Sequence, residues 1–383
     1  MKDLEIERVQ VNAIGPATTR YAWASDMGEQ FTTNTIVRLT TRGGLEGVGA
    51  APSYTEHAYD LSVAETLRPM LPALIGASPL EREAIWYRLQ SHNLPTAPQA
   101  LAAIDVALWD LTAKQAGLPL FQLLGGSRSR IRSYASTPLL ADPQAYVDFV
   151  AKLREDGFRA VKFHAWCEVD RDLEMARAVH ARYAGTGLQF MSDAEQRYSR
   201  PDAYRAAREL EAMGFTWFEA PLLDTDLEGY RELRRRVQIP ILAAGNWVLD
   251  LGLIYQAIRL EAWTSVRVDA TVLGITATRK VMGLAEAAGM TVELQCWGYT
   301  LQQAANLHVM LAYPNCTFFE QPVPYPAFEF GMRDTIRTDA DGYVHAPTAG
   351  AGLGVRVNWE AMGPATLLAY EQTRRGLTTT GRP

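Results

Sequence analysis

From about residue 130, short apolar runs begin near 131, 159, 188, 215, 239, 265, 291 and 316. Stretches of helical periodicity lie between most of them, among them AYVDFVAKLREDG, DLEMARAVHARYAG and TATRKVMGLAEAAG. Eight strands at roughly 25-residue spacing, alternating with helices, predict a parallel α/β barrel. An open doubly wound sheet would more often keep a glycine-rich dinucleotide turn. None is found here, because Gly125-Gly126 follows a helical stretch.

The first third of the chain has another rhythm. Residues 3–13 and 34–50 alternate as strands of an antiparallel sheet: TNTIVRLTT turns at Gly43-Gly44 and returns as LEGVGAA. Residues 57–92 and 97–117 read as helical. The second stretch carries a broad apolar face of Leu101, Ile104, Val106, Leu108 and Leu111, ended by Gly117 and Pro119. Between the first strands, RYAWASDMGEQF holds Trp23, Asp26 and Phe31; it reads equally as a lid or as a plain hairpin excursion. After residue 330 a turn-rich tail is expected to pack back on the first domain.

Composition narrows the function. The chain has 383 residues, 48% hydrophobic and 21% charged, which allows two domains with large cores. A formal charge of −6 gives no basic field for nucleic acid. No apolar run reaches the roughly 20 residues of a membrane span, and the charged, alternating start reads as a strand rather than a signal peptide. The cysteines, Cys167, Cys296 and Cys316, are far apart. That spacing points to a reducing, cytoplasmic setting and away from a zinc-thiolate site or a disulfide framework.

The strands from 159 to 219 end in charged residues. Asp193 and Glu219 lie one βα unit apart, and two carboxylates on adjacent strand ends suit a hard divalent cation; each taken singly is as readily a salt bridge or helix cap. Asn246, in QIPILAAGNWV, can add a neutral carbonyl oxygen. Lys162 and His164, two residues apart, share one strand face. An ammonium that neutralises a substrate carboxylate, beside an imidazole able to act as base, suits proton abstraction. Without context, a solvated lysine and a packed histidine would be the commoner case. His57, His92, His180, His308 and His345 have no such partners and are assigned structural roles.

These motifs resemble the enolase superfamily, in its mandelate racemase/muconate lactonizing enzyme-like group, over almost the whole chain. The resemblance rests on AIDVALWDLTAKQAGLPLFQLLGG at 103–126, then DAEQRY, WFEAPL with DLEGYREL, VRVDATVLGIT and QAANLHVMLAYPNC, in that order. It implies a modified TIM (β/α) barrel at 129–339 with an α+β capping domain at 1–128, completed by the tail 340–383. It also implies Mg²⁺ holding a substrate carboxylate while the proton α to it is removed. Asp193 and Glu219 match the first two metal ligands. At the third, where the family has the Glu of an AGE-N motif, this chain reads Ala244-Gly245-Asn246-Trp247. Either Asn246 takes the place of that Glu or Gly245 does; Asn246 has the oxygen and is preferred, with Mg²⁺ bound more weakly for the lost charge.

On the base strand, Lys162 keeps the first lysine of the family's pair and His164 replaces the second. Asp269 matches the Asp of a His–Asp dyad on the opposite face, but the His position reads Gln295, which cannot titrate. Glu320 matches an acid on the eighth strand that bonds the substrate carboxylate. One titrating face favours a lyase, an acid-sugar dehydratase giving a 2-keto-3-deoxy acid, with Arg20, Trp23, Asp26 and Gln196 holding the substrate. The alternatives are an isomerase (a racemase, epimerase or lactone cycloisomerase) and an inert barrel kept as a binding protein. Specificity would come from loops 20–31 and 51–57. The expected partners are a small carboxylate and further copies of the chain in a homo-oligomer, with neither nucleic acid nor membrane.

Overall fold

A computed structural model describes residues 2–16, 19–29, 33–53, 57–92 and 97–381. Phe31, the 54–56 part of the second loop and the His57 side chain lie outside the described residues. The N-terminal sheet is antiparallel, built from β1 (Ile6–Ile14), β2 (Thr33–Thr41) and β3 (Glu46–Ser53). The period-2 pattern of β1 buries Val9, Val11 and Ala13, and a register shift between Ile6 and Arg8 brings Ile6 into the same core.

The stretch expected to be helical over 57–92 is broken. It forms α1 (His57–Leu67) and α2 (Arg82–Gln90), separated by 3₁₀ turns at Leu71–Leu74 and Pro79–Glu81. Pro72 and Pro79 begin those turns, where a missing N–H costs nothing, and Gly76 takes φ +83°. Helix α3 (Gln99–Ala116) runs unbroken and ends on Gly117 at φ 68°. It lies directly on β3 because Gly49 has no side chain; a Cβ there would strike the backbone of Ala103 and Ala107.

The eight expected barrel strands are all present. They are β4 (Arg130–Ser136), β5 (Ala160–His164), β6 (Gln189–Asp193), β7 (Trp217–Glu219), β8 (Ile241–Leu242), β9 (Ser265–Val268), β10 (Thr291–Leu294) and β11 (Phe318–Pro322). Parallel pairing runs in the order β10-β9-β8-β7-β6-β5-β4-β11, a near-closed barrel. Tyr134, Ala160, Met191, Trp217, Leu242 and Phe318 fill its interior below the strand ends, so the barrel is a packed core with a site at its mouth.

The tail serves both sheets. The strand β12 (Tyr343–His345) pairs with β4 of the barrel, whereas β13 (Thr366–Thr373) and β14 (Gly376–Gly381) extend the N-terminal sheet from β1. Helix α3 fastens the two units: Asp105 accepts bonds from the Thr276 backbone N–H and hydroxyl (2.8 and 2.6 Å), and Trp109 donates to the same hydroxyl. The three cysteines are free. Among the described residues no helix is long and apolar enough to cross a membrane.

His308, in the helix Thr300–Ala312, ties that helix to the chain around it. Its Nδ1 accepts from the Phe121 N–H (3.1 Å) and its Nε2 donates to the Leu353 carbonyl (3.0 Å), so the ring is neutral. Burial pushes its pKa down to about 4, against the pull of the Leu353 bond. An unfolded histidine takes its proton near 6.5, so as pH falls the unfolded chain gains a proton first and the fold loses stability between about 6.5 and about 4. The expected loss is up to about 3 kcal/mol. It would be read as a fall in the urea midpoint through that window, and His308→Gln should flatten it.

Candidate active site

The carboxyl ends of the barrel strands open into a cavity of about 160 Å³ lined by residues of several strands and of the 20s loop. Lys162 and His164 both face it from β5, as the two-residue period requires. Strand register sets His164 beside Asp193, and Asp193 beside Glu219.

Lys162 lies at the centre and is 1% exposed. Its Nζ is 2.8 Å from Asp193 Oδ2, 2.9 Å from Glu219 Oε1 and 3.1 Å from Glu320 Oε1. Burial pulls the ammonium down, but the three carboxylates outweigh it and hold the pKa well above the usual lysine range. A second cation, Arg267 on β9, pairs with Glu219 Oε1 (2.7 Å) and Glu320 Oε2 (2.9 Å) and is also buried. Glu320 further accepts from the Ser136 hydroxyl and the Cys296 N–H. Burial pushes the Glu219 carboxyl up to about 8, against the pull of Arg267 and Lys162.

The third positive group is His164. Its Nδ1 lies 2.6 Å from the Thr137 carbonyl oxygen, which can only accept. Its Nε2 lies 3.2 Å from Asp193 Oδ2 and 3.3 Å from Glu195 Oε1, also acceptors. Both nitrogens therefore carry protons, and the ring is an imidazolium. Burial and the Lys162 charge oppose this, but Asp193 and Glu195 raise the pKa to about 10. Glu195 reaches the ring because the chain turns sharply after β6. Glu195 and Gln196 have φ of 47° and 63°, a left-handed conformation that non-glycine residues seldom adopt.

The opposite wall does not titrate. Gln295 donates from its amide to the Ala244 carbonyl and to Asn246 Oδ1. Asp224, fully buried, holds that loop from beneath by accepting from the N–H groups of Ala244, Asn246 and Trp247 (2.8, 2.8 and 3.1 Å). On the capping side, Trp23 and Trp297 meet edge to face with centroids 4.7 Å apart, and Met27 adds to the wall.

The structure therefore brings Lys162, His164, Asp193, Glu219, Asn246, Gln295, Glu320 and Trp23 to one cavity. It leaves the other expected residues away from it. Asp269 is enclosed by Thr271, Gln302 and Asn306 and caps the turn Ala270–Leu273, so it makes no dyad with Gln295. Gln196 accepts from the Asp224 N–H, Asp26 pairs with Arg197 on the surface, and Arg20 is exposed. Sequence reasoning passed over Glu195, Arg267, Trp297 and Met27. The signals were present: a second acid two residues after Asp193, and an arginine enclosed by valines in a strand.

These groups do not fit a magnesium ion at the expected position. Magnesium asks for oxygen donors with free lone pairs in near-octahedral array. The oxygens of Asp193 accept from Lys162, His164 and the Glu195 N–H; those of Glu219 face Lys162, Arg267 and the Trp217 indole N–H. Asn246 Oδ1 accepts from Gln295. The carboxyl groups of Asp193, Glu195, Glu219 and Glu320 face Lys162, Arg267 and the His164 imidazolium, so the site's own cations already engage the oxygens a dication would need. Among the described residues, one group of three has ligand atoms within 4.8 Å of one another, His164, Asp193 and Glu195; it shares only Asp193 with the expected set.

Comparison with known proteins agrees with this architecture. Residues 14–125 match the N-terminal domain family of mandelate racemase/muconate lactonizing enzyme, and residues 145–361 match the enolase C-terminal domain-like family. A mandelate racemase/muconate lactonizing enzyme-type protein from Pseudovibrio sp. superposes with a TM-score of 0.94 at 41% identity, over 96% of this chain and 99% of that one. L-talarate/galactarate dehydratase of Salmonella typhimurium (strain LT2) is 31% identical over 288 residues, 73% of this chain and 70% of the enzyme. The L-talarate dehydratase of Polaromonas sp. JS666, crystallised with Mg and L-glucarate, superposes with a TM-score of 0.82 at 26% identity, over 97% and 99% of the two chains. Other relatives are cycloisomerases and a racemase.

Proposed function

Since the chain belongs to the mandelate racemase/muconate lactonizing enzyme family of the enolase superfamily, we propose that it is a lyase removing water from a small polyhydroxy carboxylate. The product is a 2-keto-3-deoxy acid. The observation that carries this reading is the one-sidedness of the cavity. The proton-transfer groups, His164 and Glu195, touch each other on one wall, and among the described residues the wall opposite offers the amides of Gln295 and Asn246. Exchange of a proton between two faces, as a two-base racemase requires, lacks its second group. Syn elimination needs one face.

In this mechanism Lys162 and Arg267 draw the substrate carboxylate and stabilise the negative charge that grows as Cα–H breaks. The Glu195 carboxylate takes the α-proton. His164, which the sequence alone suggested as the base, enters as the imidazolium and gives its Nε2 proton to the β-hydroxyl, which departs with the C–O electron pair as water. The enol left between Cα and Cβ tautomerises to the keto acid. The proton on Glu195 returns to His164 across their 3.3 Å contact, which resets the pair. Trp23 and Trp297 offer aromatic faces to the C–H side of the substrate chain. Several relatives act on sugar acids, which supports this substrate class.

The test is a library of acid sugars assayed for 2-keto-3-deoxy products in ²H₂O. Turnover with one deuterium entering at C3 is expected. Exchange of the α-hydrogen with no loss of water would move the reading to the isomerase chemistry of the cycloisomerase and racemase relatives. No turnover and no exchange with any carboxylate would leave a binding barrel.

A further inference from the structure

We propose that the Arg267 guanidinium, with Lys162, supplies the fixed positive charge of this site in place of a divalent ion. The inference deepens the reading of this cavity as the reaction site, and two independent features carry it. The first is position. Arg267 bridges Glu219 and Glu320 at 2.7 and 2.9 Å, and Lys162 joins both of these to Asp193. The cluster thus holds its own cations among the carboxyl groups.

The second feature is space. Gly245, one of the two positions aligned with the third metal ligand, has φ +74°. A Cβ built on it would lie 2.5 Å from the Arg267 carbonyl oxygen and 3.1 Å from Arg267 Cγ. A side chain at 245 would therefore press on the backbone of residue 267 and on the stem of its arginine, and position 245 supplies no ligand beside that cation. The neighbouring candidate, Asn246, has its backbone N–H held by Asp224 and its side-chain oxygen held by Gln295. A guanidinium stays charged at any working pH and presents five N–H donors in a fixed plane. It therefore supplies a permanent charge to a buried carboxyl cluster with no ion to lose.

The test is metal binding by the full-length protein after EDTA treatment, titrated calorimetrically with MgCl₂ and with MnCl₂ while thermal unfolding is followed in parallel. The native protein is expected to give no saturable heat and no rise in Tm with either ion. Arg267→Gln leaves Glu219 and Glu320 with Lys162 alone, and should gain an Mg²⁺-dependent rise in Tm. If that variant folds only when Mg²⁺ is present, the proposal is equally supported; if it folds in neither condition, the native titration decides. Saturable binding of either ion by the native protein, lost in Asp193→Asn, overturns the proposal. Neither readout uses substrate, so a failed dehydration assay leaves this inference standing, and its own failure leaves the proposed reaction standing.

Discussion

Replacing His164 by asparagine is expected to lower kcat for the acid sugar about 10²–10⁴-fold, the usual contribution of a positioned general acid. The new amide could still donate to the Thr137 carbonyl, but it has no proton to give to a departing hydroxyl. The fold should survive, because Asp193 keeps its bond to Lys162 and to the Glu195 N–H. Activity of Glu195→Gln should fall by a similar factor with KM little changed, since the amide keeps the shape of the side chain and loses only the capacity to take a proton. The double variant should be little worse than either single one, as expected of groups that pass one proton between them. Steady-state kinetics on the three proteins tests this. A His164→Asn enzyme within a few-fold of native would remove the ring from the mechanism, and strictly additive losses would separate the two residues.

Lys162→Met should be the most damaging single change to the fold, by about 3–5 kcal/mol in urea unfolding. Methionine nearly matches the volume of lysine, so the loss is electrostatic rather than a cavity. The ammonium meets three carboxyl groups, each no more than 5% exposed. Without it, Arg267 alone serves Glu219 and Glu320, and Asp193 retains only His164 among cations. Removing one partner of a buried ion pair leaves the remaining charge without compensation, and here three carboxyl groups lose the ammonium they share. Adding Glu219→Gln to Lys162→Met should restore part of the stability by removing one of them. A Lys162→Met protein as stable as the native one would mean that the carboxyl groups are protonated in the fold and need no cation.

The barrel was legible because its strands are buried on both sides and therefore stand out as apolar runs between amphipathic helices. Each of the eight begins within a few residues of where the hydrophobic pattern puts it. The strand-end charges were legible for the same reason, and the two-residue period correctly put Lys162 and His164 on one face. The 57–92 stretch was not, since its composition is helical while Pro72 and Pro79 cut it. In the loops the limit is conformational. Whether residue 195 or 196 faces the cavity depends on two left-handed φ angles after β6, and no side-chain pattern encodes them. Asp26 and Gln196 looked like substrate ligands by type, yet they are engaged by Arg197 and by the backbone of Asp224. Arg267 was hidden by habit: an arginine between valines reads as an edge or snorkelling residue until three-dimensional neighbours show two carboxylates waiting for it.

The close approach of Gly245 to the backbone of Arg267 also bears on how this chain could be converted into a metal-binding form. A glutamate introduced at 245 would collide with the backbone of residue 267 whatever side chain stands there, at a φ of +74° that side chains seldom adopt. Removing the arginine first would leave Glu219 and Glu320 short of a cation. Each single step descends in stability, and the paired change still meets the backbone of residue 267. Replacing the side chain at 267 opens no room at 245, so the two substitutions do not rescue each other. Side-chain diversification of 245 and 267, singly or jointly, should therefore return few metal-dependent variants.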